Sequence, residues 1–320
     1  MGLKILLLSV FDFAGSGYRI CEAVNLNTCN FVEYAVMLPA RNFTQFKRYP
    51  AIYKIEDNEM KINMDDVERL ILLIKDADII HLKSDYTIDS KTLEIFKIPK
   101  SKPVIQTVCG SIFRNLTPDH REGYISNTSF RTSLNPDLNF PEYDGIYTPF
   151  SYETTKFKNE WKMREIPIIG HSPSNRDKKG TADFLKACEL LKKDGIKFDI
   201  NLIEGLEHID CLDEKSESTI FFDQSKVGSY GNSAVEAMAM GIPTTAYLSP
   251  IAKENLKTCP VVDCGQTTGS IYKALKGMLK SNLLELSGTT KSWCDSVHSY
   301  EVTGKMWERI YKNVYKNSKS

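Results

Sequence analysis

The 320-residue chain reads as an α/β protein of two domains, each a parallel sheet layered with helices, closed by a long terminal helix. Three observations predict this. The chain is longer than one ordinary domain, short apolar runs alternate with amphipathic stretches, and the alternation starts afresh near residue 166 after a polar interval.

Residues 4–10 form a continuous run rich in Leu and Ile, the pattern of a central strand buried on both faces. A turn at 12–17, a helix over 18–25 and a strand over 31–37 complete the first repeat. A helix at 64–75 and strands at 79–82, 104–108 and 145–148 extend the layer. Residues 111–141 are polar, contain Pro118, Pro136 and Pro141 and show no sustained period, which predicts a long functional loop. A helix over 150–161 leads out of this first domain, 1–163. The second domain, 164–299, opens with a strand at 166–170. It continues as helix 181–193, strand 198–203, helix 209–217, strand 219–222, helix 232–240 and strand 244–248, followed by closing helices. In 300–320, Val302, Met306, Ile310 and Val314 recur every fourth residue beside Trp307 and Tyr311, one apolar face of a terminal helix. Two stacked domains of this kind suggest a cleft lined by the carboxyl ends of both sheets.

The chain holds 41 basic and 41 acidic residues, 21 of each in 1–164 and 20 of each in 165–320. Neither half is selectively basic, which speaks against duplex nucleic acid as a partner. Hydrophobic residues at 42% and charged residues at 26% exclude disordered and disulfide-scaffold classes. No apolar run approaches the roughly 20 residues of a membrane span, and no leader is evident. Eight cysteines without a CxxC pair read as reduced thiols, so a cytoplasmic enzyme is expected.

Three segments carry chemistry. After the first strand, Asp12-Phe13-Ala14-Gly15-Ser16-Gly17 could cradle a phosphate, because Gly15 and Gly17 let backbone amides approach at a helix N-terminus. A dinucleotide fingerprint would need a third glycine where Ile20 stands; a tight strand-to-helix turn is the plainer reading. The second domain opens with a polar, basic loop, His171 to Gly180, where Arg176 and Lys179 could hold a diphosphate at a helix start; a solvated loop is the alternative. In the third, Gly228-Ser229-Tyr230-Gly231-Asn232-Ser233 turns into a helix whose one acid is Glu236, among Ala, Val and Met, before Gly241 and Pro243. A carboxylate there needs a partner: vicinal ribose hydroxyls, or an internal salt bridge.

The stretch Glu236-Ala237-Met238-Ala239-Met240-Gly241-Ile242-Pro243, preceded by Lys179-Gly180, resembles the large GT4-like group of retaining glycosyltransferases with the GT-B fold. The resemblance implies two Rossmann-like domains facing across a cleft and a C-terminal helix returning to the N-terminal domain. It implies a nucleotide-sugar donor, UDP-linked before GDP-linked, held by the second domain, an acceptor held by the first, and no cofactor or metal. Glu236 would hold the ribose and Arg176 and Lys179 the diphosphate. The amides of Gly15, Ser16 and Gly17 would face the transferred sugar and phosphate, and attack would come from the face the leaving diphosphate vacates. Three departures stand out. The position eight residues before Glu236, a glutamate in the group, is Gly228, so sugar contact would pass to the backbone around Tyr230, Gly231, Asn232 and Ser233. Arg176 and Lys179 are three residues apart rather than five or six. Cys109-Gly110-Ser111 replaces a His-Gly pair after the strand ending at Val108, on the acceptor side with Asp12.

The expected acceptor is a carbohydrate or lipid-linked carbohydrate, with Lys47, Arg48, Tyr49, Phe43 and Phe46 as one peripheral contact patch. The alternatives are a phage-type glycosyltransferase acting on a modified base in DNA and a nucleotide-sugar binding subunit without turnover.

Overall fold

The computed structural model describes residues 2–10, 12–36, 53–56, 59–83, 99, 101–125, 128–157 and 161–319. The proposed Lys47 patch lies outside them. The chain divides into two compact units, Met1–Tyr152 with Tyr300–Ser320, and Glu153–Ser299. The division falls after Tyr152 rather than near residue 163.

In the first unit, β1 (Lys4–Ser9), α1 (Ser16–Asn27) and β2 (Phe31–Val36) are followed by a hairpin, β3 (Tyr53–Glu56) with β4 (Glu59–Ile62), which the sequence pattern did not indicate. Then come α2 (Met64–Asp76), β5 (Ile79–Lys83), β6 (Val104–Val108), α3 (Gly110–Asn115), α4 (Pro118–Ile125), β7 (Phe130–Ser133) and β8 (Ile146–Tyr147). The six-stranded sheet runs β2-β1-β5-β6-β7-β8, with every pair parallel. Its central strands β1, β5 and β6 are buried nearly end to end, polar His81, Lys83 and Gln106 included. On one face Leu6, Leu8, Ile80, Leu82 and Val104 pack with Leu70 and Ile74 of α2.

Residues 111–141 are not one long loop. Helices α3 and α4 and strand β7 lie within them, ordered by side-chain bonds that leave no periodic trace in the sequence. Arg114 grips Asp137 with two bonds of 2.6 and 3.0 Å. Arg121 pairs with Glu142, and the Tyr143 hydroxyl donates to the carbonyls of Gln106 and Thr132, each at 3.1 Å.

The second unit holds β9 (Ile168–His171), α5 (Arg176–Lys179), α6 (Thr181–Lys193), β10 (Asp199–Leu202), α7 (His208–Ser216) and β11 (Ile220–Phe222). After these come α8 (Asn232–Ala239), β12 (Thr244–Ala246), α9 (Pro250–Asn255), β13 (Val262–Asp263), α10 (Thr268–Lys280) and α11 (Leu283–His298). Its parallel sheet runs β10-β9-β11-β12-β13. The core stacks Phe184 on Phe222 at 4.6 Å between ring centres, with Ile169, Leu191, Ile271 and Leu275 around them.

The helix expected over 150–161 is absent among the described residues, where only a single 3-10 turn, Thr154–Lys156, forms. Two aromatic residues of this stretch are tertiary anchors. Phe157 and Trp161 pack on Phe221, Ala237 and Ile242, and the Trp161 indole donates to the carbonyl of Thr219 at 3.0 Å.

The terminal helix α12 (Tyr300–Asn317) belongs to the first unit. It lies against α1 at Gly304, where a Cβ would come within 2.2 Å of the Ala23 carbonyl oxygen. Its Tyr311 hydroxyl meets Nδ1 of the buried His81 at 2.9 Å.

Candidate functional site

In an open parallel sheet, ligands favour the carboxyl ends of the strands where successive crossovers leave in opposite directions. In the second unit that point lies between β9 and β11, since β10 flanks β9 on one side and β11 on the other. The segments leaving these two strands, Ser172 to Lys179 and Asp223 to Gly231, overlap the two that the sequence singled out, His171 to Gly180 and Gly228 to Ser233.

Asp223 ties them together. Its side chain is 1% exposed, and Oδ1 accepts from Lys179 Nζ at 2.6 Å while Oδ2 accepts from the Gly231 amide at 2.7 Å. Two further bonds cross between the loops: the Ser225 amide to the Lys179 carbonyl at 3.1 Å, and the Ser172 and Ser233 hydroxyls at 2.7 Å. The glycine of Lys179-Gly180 is required. Its φ of 75° suits glycine, and a Cβ would meet the Ser225 hydroxyl at 2.1 Å. Gln224 organises the second loop by accepting from the amides of Lys226 and Val227 at 2.7 and 2.6 Å. Gly228 is buried with φ 86°, a backbone a glutamate would hold only under strain.

His171 closes β9 beneath this site. One ring nitrogen meets the Phe222 carbonyl at 2.9 Å and the other the Thr181 hydroxyl at 2.8 Å. Burial pulls its pKa down to about 4, so the ring is neutral near pH 7 and serves as a bracket between β11 and α6.

Arg176 does not join Lys179. Its guanidinium turns to Glu204, after β10, with bonds of 2.9 and 2.5 Å on an exposed surface. Tyr230 is also not a surface group: its side chain is fully buried and its hydroxyl meets Nε2 of His298 at 3.0 Å, leaving only its backbone to the loop.

Glu236 is buried at 5% exposure. Two of its partners come from α7: Lys215 Nζ donates to Oε2 at 2.6 Å, and His208 Nε2 lies 2.9 Å from Oε1. The carboxylate thus has the internal salt bridge that the sequence left open as an alternative. Lys215, His208 and Asp223 were not identified from the sequence. Only Asp223 had a local signal, an acid directly after the buried strand Ile220–Phe222.

In the first unit the corresponding point lies between β1 and β5. The Gly17 amide, assigned to the transferred sugar and phosphate, is bound instead by Asp12 Oδ1 at 2.8 Å, and the Tyr18 amide by Asp12 Oδ2 at 3.2 Å. Asp12 therefore caps α1 with its own charge. The fully buried Lys83 sits 3.6 Å from Asp12 Oδ1 and has no hydrogen-bond partner among the described residues. Ala14 and Gly15 both take left-handed backbone, φ 53° and 65°, and Arg19 braces the turn by donating to the Ala14 carbonyl at 2.9 Å. Cys109 is buried, and Gly110 has φ 77° and gives its amide to Asn135 at 3.0 Å. Ser111 is in α3, close in sequence to this pair.

No protein-family model matches the sequence, and no curated protein matches it. Solved structures do share the fold. A glycosyltransferase from Rickettsia africae superposes with a TM-score of 0.65 at 14% identity over 99% of this chain and 100% of that one. HepE from Anabaena, in complex with UDP-glucose, gives 0.64 at 10% identity over 97% and 100%. A UDP-GlcNAc 2-epimerase from Neisseria meningitidis bound to UDP-GlcNAc gives 0.55 at 13% identity over 98% and 100%. The chain is an α/β protein of two Rossmann-like domains, of the GT-B fold class.

Proposed function

We propose that the chain is a retaining glycosyltransferase of the GT4-like group, independent of a bound metal, which moves a sugar from a UDP-linked donor to a hydroxyl of a carbohydrate or lipid-linked carbohydrate. The observation that carries this reading is the junction of the second unit. There Lys179, Asp223 and the Gly231 amide join the two loops at the switch point, directly before the helix that holds Glu236. The fold shared with a glycosyltransferase and with proteins that hold UDP-glucose and UDP-GlcNAc supports a nucleotide-sugar donor.

Each residue has a task on this reading. Lys179 faces the diphosphate, whose charge grows as the glycosidic bond breaks, so its ammonium stabilises the transition state more than the bound donor. Asp223 aims that ammonium. The amides around Gly231 to Ser233, at the start of α8, face the donor, and Glu236 accepts from the ribose hydroxyls. The acceptor hydroxyl loses its proton to the departing diphosphate oxygen.

One arrangement favours a nucleotide-sugar binding subunit without turnover: both expected diphosphate cations are already paired, Lys179 with Asp223 and Arg176 with Glu204. Incubation with radiolabelled UDP-sugars and oligosaccharide or lipid-linked acceptors separates the two. Label transferred with the anomeric configuration of the donor supports the transferase. UDP binding with no UDP release from any donor supports the binding subunit, and transfer onto hydroxymethylated DNA would reassign the acceptor.

A further inference from the structure

The carboxylate of Glu236 lies between two residues of one helix that differ sharply in depth. The Lys215 side chain is 1% exposed, that of Glu236 7% and that of His208 21%. His208 opens α7 and Lys215 lies two turns on, so both project from one face and grip the two oxygens separately. The inward grip is permanent. Lys215 is enclosed, with its ammonium 5.4 Å from the ring centre of Phe221, and withdrawing it would strand two buried charges. The outward contact is exchangeable, because His208 reaches solvent and can turn toward it.

We infer that Lys215 is the positioning residue of the ribose-binding carboxylate and that His208 is its outward cover. This rests on the reading of Glu236 given under the proposed function. Lys215 fixes Oε2 from below, which sets the carboxylate plane and turns Oε1 outward. A ribose hydroxyl donates to Oε1 where His208 otherwise sits. A carboxylate offers about four lone-pair directions, so one inward cation leaves acceptor capacity on the outward side. Preference for ribose over a sugar without hydroxyls then depends on Lys215 although Lys215 touches no ligand.

The test compares UDP with 2′,3′-dideoxyuridine diphosphate by calorimetry on the full chain. The wild type is expected to prefer UDP about tenfold or more, the worth of a hydrogen bond to a charged group. Lys215→Met is expected to bring that ratio close to one, and His208→Ala to preserve it. A wild-type ratio of one refutes the ribose assignment of Glu236 itself. A wild-type preference that survives in Lys215→Met, or is lost in His208→Ala, refutes this inference alone. Should Lys215→Met not fold, Lys215→Met/Glu236→Gln removes both buried charges together and is read against Glu236→Gln. A lower ratio in the double variant supports positioning by Lys215, and equal ratios overturn it.

Discussion

If Asp223 and Lys179 hold the two loops of the second unit as one piece, replacing both together should cost less than the sum of the two single replacements. Lys179→Met leaves a carboxylate that is 1% exposed with only the Gly231 amide. Removing one partner of a buried pair costs roughly 3–5 kcal/mol. The Lys179 side chain is 17% exposed, so water can partly replace it and the lower end applies, about 3 kcal/mol. Asp223→Asn keeps an oxygen for the Gly231 amide and frees Lys179 to reach solvent, at about 1–2 kcal/mol. Without coupling the double variant would lose about 4–5 kcal/mol. A neutral pair in place of an ion pair should lose only about 2, a coupling of roughly 2–3 kcal/mol. With two units in one chain, global unfolding need not be two-state. The proper readout is therefore hydrogen exchange of the peptide covering residues 219–231 across a urea series. Losses additive within about 0.5 kcal/mol would refute the claim that this pair joins the loops.

On the proposed reading, Lys179→Ala should lower kcat more than it raises KM, measured as UDP release at varied donor concentration; an effect confined to KM would make the lysine a simple binding group. Burial holds the pKa of His171 at about 4 and of His81 at about 3, both below the roughly 6.5 of an unfolded histidine. Falling pH therefore protonates the unfolded chain first. Their stabilisation is full above pH 6.5 and declines below it, by about 2 kcal/mol each at pH 5. A Tm unchanged between pH 7 and pH 5, or an equally steep decline in His171→Gln, would contradict this. Gly304→Ala places a methyl group within 2.2 Å of the Ala23 carbonyl oxygen and should cost about 1–3 kcal/mol of first-unit stability; a Tm equal to wild type would show that the two helices can part freely.

The sequence was most legible where burial imposes a period. The strand Val104–Val108 and the helices Thr181–Lys193 and Tyr300–Asn317 match their expected bounds. It was least legible where order comes from contacts distant along the chain. Arg114 with Asp137 and Tyr143 with Gln106 shape a segment whose composition suggested an irregular loop. Residues 150–161 were expected as a helix, yet Phe157 and Trp161 are held by a distant core around Phe221 and Ile242. The same division holds for the candidate site. Glu236 announced itself by being the one acid in a small apolar helix. Its partners Lys215 and His208 come from another helix, 21 and 28 residues earlier, and nothing in their own surroundings marks them. Tyr230 was expected to offer its backbone, and its side chain turns inward to His298, a direction that adjacency to glycines does not reveal.

Both units place an aspartate and a lysine at the same point of a parallel sheet, with opposite consequences. In the first, Asp12 commits both oxygens to the amides that open α1, and Lys83 is sealed beside it with no exposure. A phosphate arriving there would meet a carboxylate already in the anion position and would have to replace two charge-assisted bonds, each worth about 1.5–3 kcal/mol. In the second, Asp223 commits one oxygen to one amide and the other to Lys179, whose side chain reaches solvent. An approaching diphosphate can share that ammonium without unmaking a helix cap. On the proposed function, of the two glycine-bearing turns the one in the second unit is the one electrostatics leaves able to take a diphosphate, because Asp12 already fills the anion position of the first.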